Sequence, residues 1–95
     1  MHWSDLEVWK KSHNLVLKIY QLTATFPKSE TYALSGQLRR AAYSVPANIV
    51  EGQSRNTTKE YCLFLYNARG SVEEVRYFML LSKELQYIDQ KIYKL

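Results

Sequence analysis

Hydrophobic side chains recur at spacings of three and four over three long stretches of this chain, and no segment reads as a strand. In the first stretch Leu6, Trp9, His13, Val16, Tyr20 and Thr23 line one face, and Leu15, Ile19, Leu22 and Phe26 widen it. Lys10, Lys11, Asn14 and Lys18 fall outside. The pattern predicts an amphipathic helix over about residues 5–25. Ser4 and Glu7 have the spacing of a capping box, in which each side chain satisfies an orphan NH at the helix start. Phe26-Pro27 stops the helix, because the residue before a proline avoids the helical region, and Ser29 is placed to cap the next one.

The second helix is expected over about residues 30–54. Leu34, Leu38, Ala41, Ala42, Val45 and Ile49 share one flank, and beside them Gln37, Arg40, Ser44, Asn48, Glu51 and Arg55 form a polar stripe at 100° per residue. Pro46 stands in the middle, where a proline costs about 3 kcal/mol through its missing NH and its clash with the carbonyl four residues back. It is expected to bend the helix, with Ser44 and Asn48 placed to bond the backbone groups it frees. Gly52 suits a helix end.

In the third stretch Tyr61, Leu65, Ala68, Val72, Val75, Met79 and Ser82 alternate steps of four and three, with Phe64, Phe78 and Leu85 beside them. A capping box from Thr57 to Glu60 opens this helix, which is predicted over about residues 58–87. Gly70 interrupts it. A glycine costs up to about 1 kcal/mol in a helix, so its presence predicts a close helix approach there rather than a break. Arg69, Glu73 and Arg76 are spaced for intrahelical ion pairs. Asp89 then reads as the N-cap of a fourth helix starting at about residue 90.

Short connections make neighbouring helices antiparallel. The chain therefore reads as one all-α domain over residues 1–95, an antiparallel up-down helical bundle whose fourth helix is largely absent. Such a bundle leaves a groove that another subunit is expected to cover. A chain of only 95 residues often needs a partner for stability, and eight Tyr and two Trp suit interfaces, so a homo-oligomer is expected.

Thirteen Lys and Arg against nine Asp and Glu give a net charge of +4, compatible with a polyanionic partner. The candidate nucleic-acid contacts are Lys10, Lys11, Lys18, Arg39, Arg40, Arg55 and Lys59. No helix-turn-helix, zinc-finger or RRM pattern accompanies them, so such contacts are expected mainly to phosphate. Cys62 is the only cysteine, which excludes an intramolecular disulfide and fits a buried thiol in a reducing compartment. No run approaches the roughly 20 apolar residues of a membrane span, and the start HWSDLE is unlike a signal peptide. A cytoplasmic protein without a membrane partner is expected.

Chemistry is sparse. The glycines form no nucleotide-binding loop, and His2, His13 and one cysteine are too few for a zinc site, so no cofactor or metal is expected. Ser44 and Cys62 have no sequence-evident base. A hydrolase or transferase would require His13 to converge with Ser44 or Glu51. The favoured reading of Gln37, Arg40, Ser44, Asn48 and Glu51 is a structural polar network, with Arg and Glu neutralising each other and the amides and hydroxyl bridging neighbouring helices. Pro46 and Gly52 then mark the bend and the end of that helix.

Three segments resemble a known bacterial family. DLEVWKKSHNLVLKIYQLTATFP, YALSGQLRRAAYSVPANIVEG and KEYCLFLYNARGSVEEVRY are similar to the first three helices of the S23-like proteins, encoded by intervening sequences of 23S rRNA genes. The run Q-L-R-R-A-A-x-S-V-P-A-N-I-x-E-G is the specific part. The resemblance implies a left-handed antiparallel four-helix bundle that assembles as a ring-like homo-oligomer, commonly a pentamer. It brings in a relative, the accessory variability protein of diversity-generating retroelements, which binds a reverse transcriptase and nucleic acid. The family has no established catalytic residues to transfer. The expected function is a non-enzymatic oligomer presenting a basic surface to RNA or a nucleoprotein partner. The alternative is a protein-interaction scaffold, or an accessory subunit for a nucleic-acid enzyme such as a reverse transcriptase.

Overall fold

A computed structural model describes residues 2–93, which form the helices α1 (Glu7–Thr23), α2 (Leu34–Gln53), α3 (Thr58–Glu84) and the short α4 (Gln90–Tyr93). No strand occurs among the described residues. The 27 residues of α3, at 1.5 Å each, make a rod of about 40 Å that accounts for the 44 Å long axis of the molecule. Its start is half of the predicted capping box: the Glu60 NH donates to Thr57 Oγ1 at 3.1 Å, whereas the Glu60 carboxylate meets the Thr57 hydroxyl at 3.0 Å instead of the Thr57 NH. Asp89 caps α4 in the same manner, accepting the Ile92 NH at 2.8 Å. The rest of the predicted fourth helix, residues 94 and 95, lies outside the described residues.

The helices form a bundle organised on α2. Gly52 abuts Tyr61 and Phe64, Ser44 bonds Ser71, and the segment before α2 meets the segment after α3 through Glu30 and Tyr87. These pairings run in opposite directions along α2 and α3, as antiparallel packing requires. Toward α1 the same holds: Arg39 reaches Tyr20 and Thr23, while Val45 and Ile49 cluster with Leu6 and Trp9. All six apolar residues predicted on the α2 flank are buried, and Leu38 and Ile49 are almost completely so. The core residues Val16 and Ile19 of α1 and Ala68 and Val75 of α3 meet them from either side.

Several local expectations are corrected. The Ser4–Glu7 capping box does not form: the Ser4 hydroxyl lies 2.7 Å from His2 Nδ1, a 3₁₀ turn occupies Trp3–Asp5, and α1 starts at Glu7 after Leu6, with no side-chain cap. Ser29 does not cap the second helix, because it sits inside another 3₁₀ turn, Lys28–Glu30. The Glu30 carboxylate does that work, accepting the Leu34 NH at 3.2 Å. The third helix ends at Glu84 rather than near Tyr87. Gln86 adopts φ 64°, and the NH groups of Gln86 and Tyr87 return to the carbonyls of Lys83 and Ser82, both at 2.9 Å. This is a Schellman ending with glutamine in the left-handed position that glycine usually takes. Tyr87 packs its ring 5.3 Å from that of Phe26, which helps to hold the reversal.

Gly52 stands in the last turn of α2, as expected, but the close helix approach expected at Gly70 is not found there. Gly70 faces open space: a Cβ built there meets no heavy atom within 4 Å, so among the described residues no other helix approaches it. Gly52 lies buried within the last turn of α2, where a Cβ would come within 2.8 Å of Tyr61 Cδ1 and 3.0 Å of Phe64 Cβ. The close approach of α2 to α3 is therefore made at Gly52. Cys62 is half-buried rather than fully enclosed. Gly52→Ala is expected to destabilise the fold by about 1–3 kcal/mol through overpacking. Gly70→Ala is expected to stabilise the isolated chain by up to about 1 kcal/mol. Chemical denaturation of the two variants, at concentrations where the protein is monomeric, checks the opposite signs.

Candidate functional site

The polar stripe of α2 resolves into separate units. At its centre the hydroxyls of Ser44 and Ser71 bond to each other across the α2–α3 seam. Ser44 Oγ is also 2.9 Å from the Ala41 carbonyl, and Ser71 Oγ is 3.2 Å from that of Asn67. The two hydroxyl protons are shared among these bonds, so each serine keeps a backbone acceptor if the other is removed. Asn48 Nδ2 donates to the Ser44 carbonyl at 2.7 Å. Neither side chain takes the Ala42 carbonyl, the one left without its helical donor by Pro46, although α2 continues through the proline unbroken.

Arg40 and Glu51 do not neutralise each other. They stand eleven positions apart, about 16 Å along a helix, and Glu51 instead pairs with Arg55 at 2.7 Å, one turn away. Arg55 is further engaged by the Phe64 ring, 4.6 Å from its guanidinium carbon. Gln37 and Arg40 are exposed and make no side-chain hydrogen bond or ion pair among the described residues. With Ala41, Ser44 and Glu74 they line an open cleft of about 310 Å³. The stripe thus meets α3 through the Ser44 hydroxyl and the Arg55 guanidinium, while Gln37 and Arg40 face solvent.

The candidate cations divide by the company they keep. Arg39 is committed to α1: its Nε donates to Thr23 Oγ1 at 2.7 Å, its Nη2 to the Tyr20 carbonyl at 3.3 Å, and its guanidinium lies 4.6 Å from the Tyr20 ring centre. That places a positive charge beside the C-terminal turn of α1, where the helix dipole favours it. Lys10 lies 3.5 Å from Glu7 in an exposed pair of small energetic weight. Lys11 and Lys18 stand on the rim of a groove of about 680 Å³ floored by Leu15, Ile19, Leu22 and Met79 and bounded by Ile92 of α4. Lys59 is exposed in the first turn of α3, and Arg40 opens onto the α2–α3 cleft.

Neither His13 nor Glu51 joins Ser44 in lining its cleft. His13 stacks on Trp9, with ring centres 4.9 Å apart and planes 7° from parallel, and it does not line the cleft that holds Ser44. Glu51 is occupied by Arg55. Among the described residues no group of three His, Cys, Asp or Glu side chains is placed to hold a metal ion, and no helix is long and apolar enough to cross a membrane.

Two tertiary ties had no signal in the sequence, the Arg39 staple and the bond from Tyr87 to Glu30. The Tyr87 hydroxyl donates to Glu30 Oε2 at 2.8 Å, across 57 positions of chain. This bond to a carboxylate, reinforced by desolvation and by the Glu30 charge, holds the phenol above its ordinary value near 10. The native state therefore favours the protonated phenol. Its contribution is complete below the unfolded value and is lost as pH rises through the folded one. Wild-type protein is expected to lose melting temperature above about pH 10 more steeply than Tyr87→Phe, which is the less stable of the two at neutral pH. Arg39→Ala is expected to cost about 1–2 kcal/mol, and Arg39→Lys to recover little, because an ammonium lacks the planar fork. Thermal melts across pH and urea titrations read both effects.

The geometry can be set beside known proteins. No curated protein matches the chain. Residues 4–95, spanning α1 to α4, match the family model described as 23S rRNA-intervening sequence protein. With that match extending over nearly its whole length, the chain belongs to the family of 23S rRNA-intervening sequence proteins.

Proposed function

We propose that this chain is a non-enzymatic, self-associating bundle protein of the cytoplasm that offers a distributed basic surface to RNA. One observation carries the reading. Lys11, Lys18, Arg40 and Lys59 are exposed and have no carboxylate partner among the described residues, on a chain of net charge +4. Cations held in solvent without internal partners are the groups that exchange counterions for phosphates. They sit on α1, α2 and α3 rather than on one reading helix, which suits backbone contact to a folded RNA more than base readout.

A salt titration against structured rRNA fragments and duplex DNA tests the proposal. Binding at micromolar or tighter affinity is expected at low salt, weakening steeply as salt rises. Replacing Lys11, Lys18, Arg40 or Lys59 by Ala should weaken binding to all sequences alike and lower the salt slope by about 1 for each phosphate no longer neutralised. Absence of binding at low salt refutes the RNA reading. A second reading, a protein-interaction scaffold, is favoured by the exposure of Tyr32 at 98% and of Tyr66 and Tyr77 at 59%. Association with a protein partner that survives nuclease treatment selects it over the first.

A further inference from the structure

Two aromatic rings stand in the open on the outer face of α3. Tyr66 and Tyr77 are each 59% exposed. They are eleven positions apart, so on the helix they point within about 20° of each other and lie about 16 Å apart along its axis. Gly70 stands between them, and no described residue comes within 4 Å of a Cβ there, so the strip joining the rings is open.

Exposure alone leaves such rings to any partner; the cations beside them narrow the choice. Arg69, Arg76 and Lys83 recur every seven positions and form a row on the neighbouring flank of α3, about 10 Å from one to the next. Arg69 is spaced to pair with Glu73, yet its guanidinium carbon lies 5.3 Å from the centre of the Tyr66 ring, and it has no carboxylate partner among the described residues. Arg76 meets Glu73 at 3.3 Å in an exposed pair, which a phosphate displaces at little cost. Lys83 closes the row, its ammonium 4.8 Å from the centre of the Tyr93 ring.

We propose that this face is a stacking platform for unpaired RNA, with Tyr66 and Tyr77 each taking a base and Arg69 and Arg76 holding the phosphates of the strand between them. The inference rests on the reading of the chain as an RNA-binding protein and adds a site with cations of its own. A row of cations beside spaced aromatic rings follows a single strand, because the cations track the backbone and every base offers a π face whatever its identity. The bases of a duplex cover one another at a rise of about 3.4 Å and present no free face. Rings about 16 Å apart therefore match separate bases of an opened strand. Arg69 lies over one side of the Tyr66 ring, which leaves the other side for a base. Stacking of this kind reads no base edges, in keeping with contacts made mainly to phosphate.

The full chain is titrated with labelled oligo(U) of about 12 nucleotides and with an RNA duplex of similar length, read by fluorescence anisotropy over a range of salt. Tyr66→Ala and Tyr77→Ala are each expected to weaken oligo(U) binding by about 10-fold, with duplex binding and the salt slope unchanged, because a lost stack releases no counterion. Tyr66→Phe and Tyr77→Phe keep the ring and should bind nearly as wild type. Arg69→Ala should lower the salt slope for oligo(U) by about 0.7, and Glu73→Gln, which frees Arg76, should tighten binding. Melting curves of the alanine variants should match wild type, since both rings lie outside the core. Oligo(U) binding unaffected by either alanine variant, or weakened equally with duplex binding, overturns the platform while leaving salt-dependent RNA binding intact. So does loss, in Tyr66→Ala, of a nuclease-resistant protein partner with oligo(U) binding unchanged. A wild-type chain that binds neither RNA at low salt overturns both readings.

Discussion

Leu38 and Ile49 retain 0% and 1% of their exposure, and both stand on the flank of α2 that α1 and α3 close over. Burying a side chain of that size contributes about 1.5–3 kcal/mol, but only if neighbours pack without voids on both sides. That requirement sets the positions of the other helices. Alanines at 41 and 42 and glycine at 52 keep α2 thin where its neighbours press closest, and the larger side chains of α1 and α3 fill the spaces between. The tyrosine and glutamate at the loop end, and the arginine against α1, then tie the ends of a packing already determined by that flank.

This central position of α2 decides what its polar residues can do. Arg39 and Arg40 are adjacent in the chain and 100° apart on the helix, and their roles diverge completely. Arg39 turns toward α1 and is committed to a threonine hydroxyl, a carbonyl and a tyrosine ring. Arg40 turns toward the α2–α3 cleft and is left to solvent. The same division separates Arg55, tied to a glutamate and a phenylalanine, from Lys59. The charge available to a polyanion is therefore smaller than the composition implies, and it is spread over separate faces. Charges dispersed in this way suit the proposed contacts to a phosphate backbone more than a reading of base edges.

The outer surface of α3 shows the complementary case. A helix that buries one regular stripe in its own core normally turns a charged face to water. Here the second face keeps leucine and tyrosine at bundle spacing, with a glycine at the midpoint. Tyr61 and Phe64 crowd Gly52, whereas no described residue comes within 4 Å of a Cβ at Gly70.

How much of this could be read from residues alone follows from range. The periodicity of the three long helices, the buried flank of α2 and the caps at Thr57 and Asp89 depend on partners within about four positions, so they were legible. The family was legible for a similar reason, as an ordered run of residues. Local signals failed where a neighbour competed: His2 claimed the hydroxyl of Ser4, and Glu30 displaced Ser29 as the cap. Whether Gly52 or Gly70 is the close approach, whether Arg39 or Arg40 is free, and that Tyr87 reaches Glu30 depend on how the helices meet, in the bonded cases across 16 to 57 positions. Spacing along one helix says which residues share a face. What that face meets is decided only when the helices pack, and the polar stripe of α2, continuous on the wheel, was divided there into a bridge to α3 and an edge left in solvent.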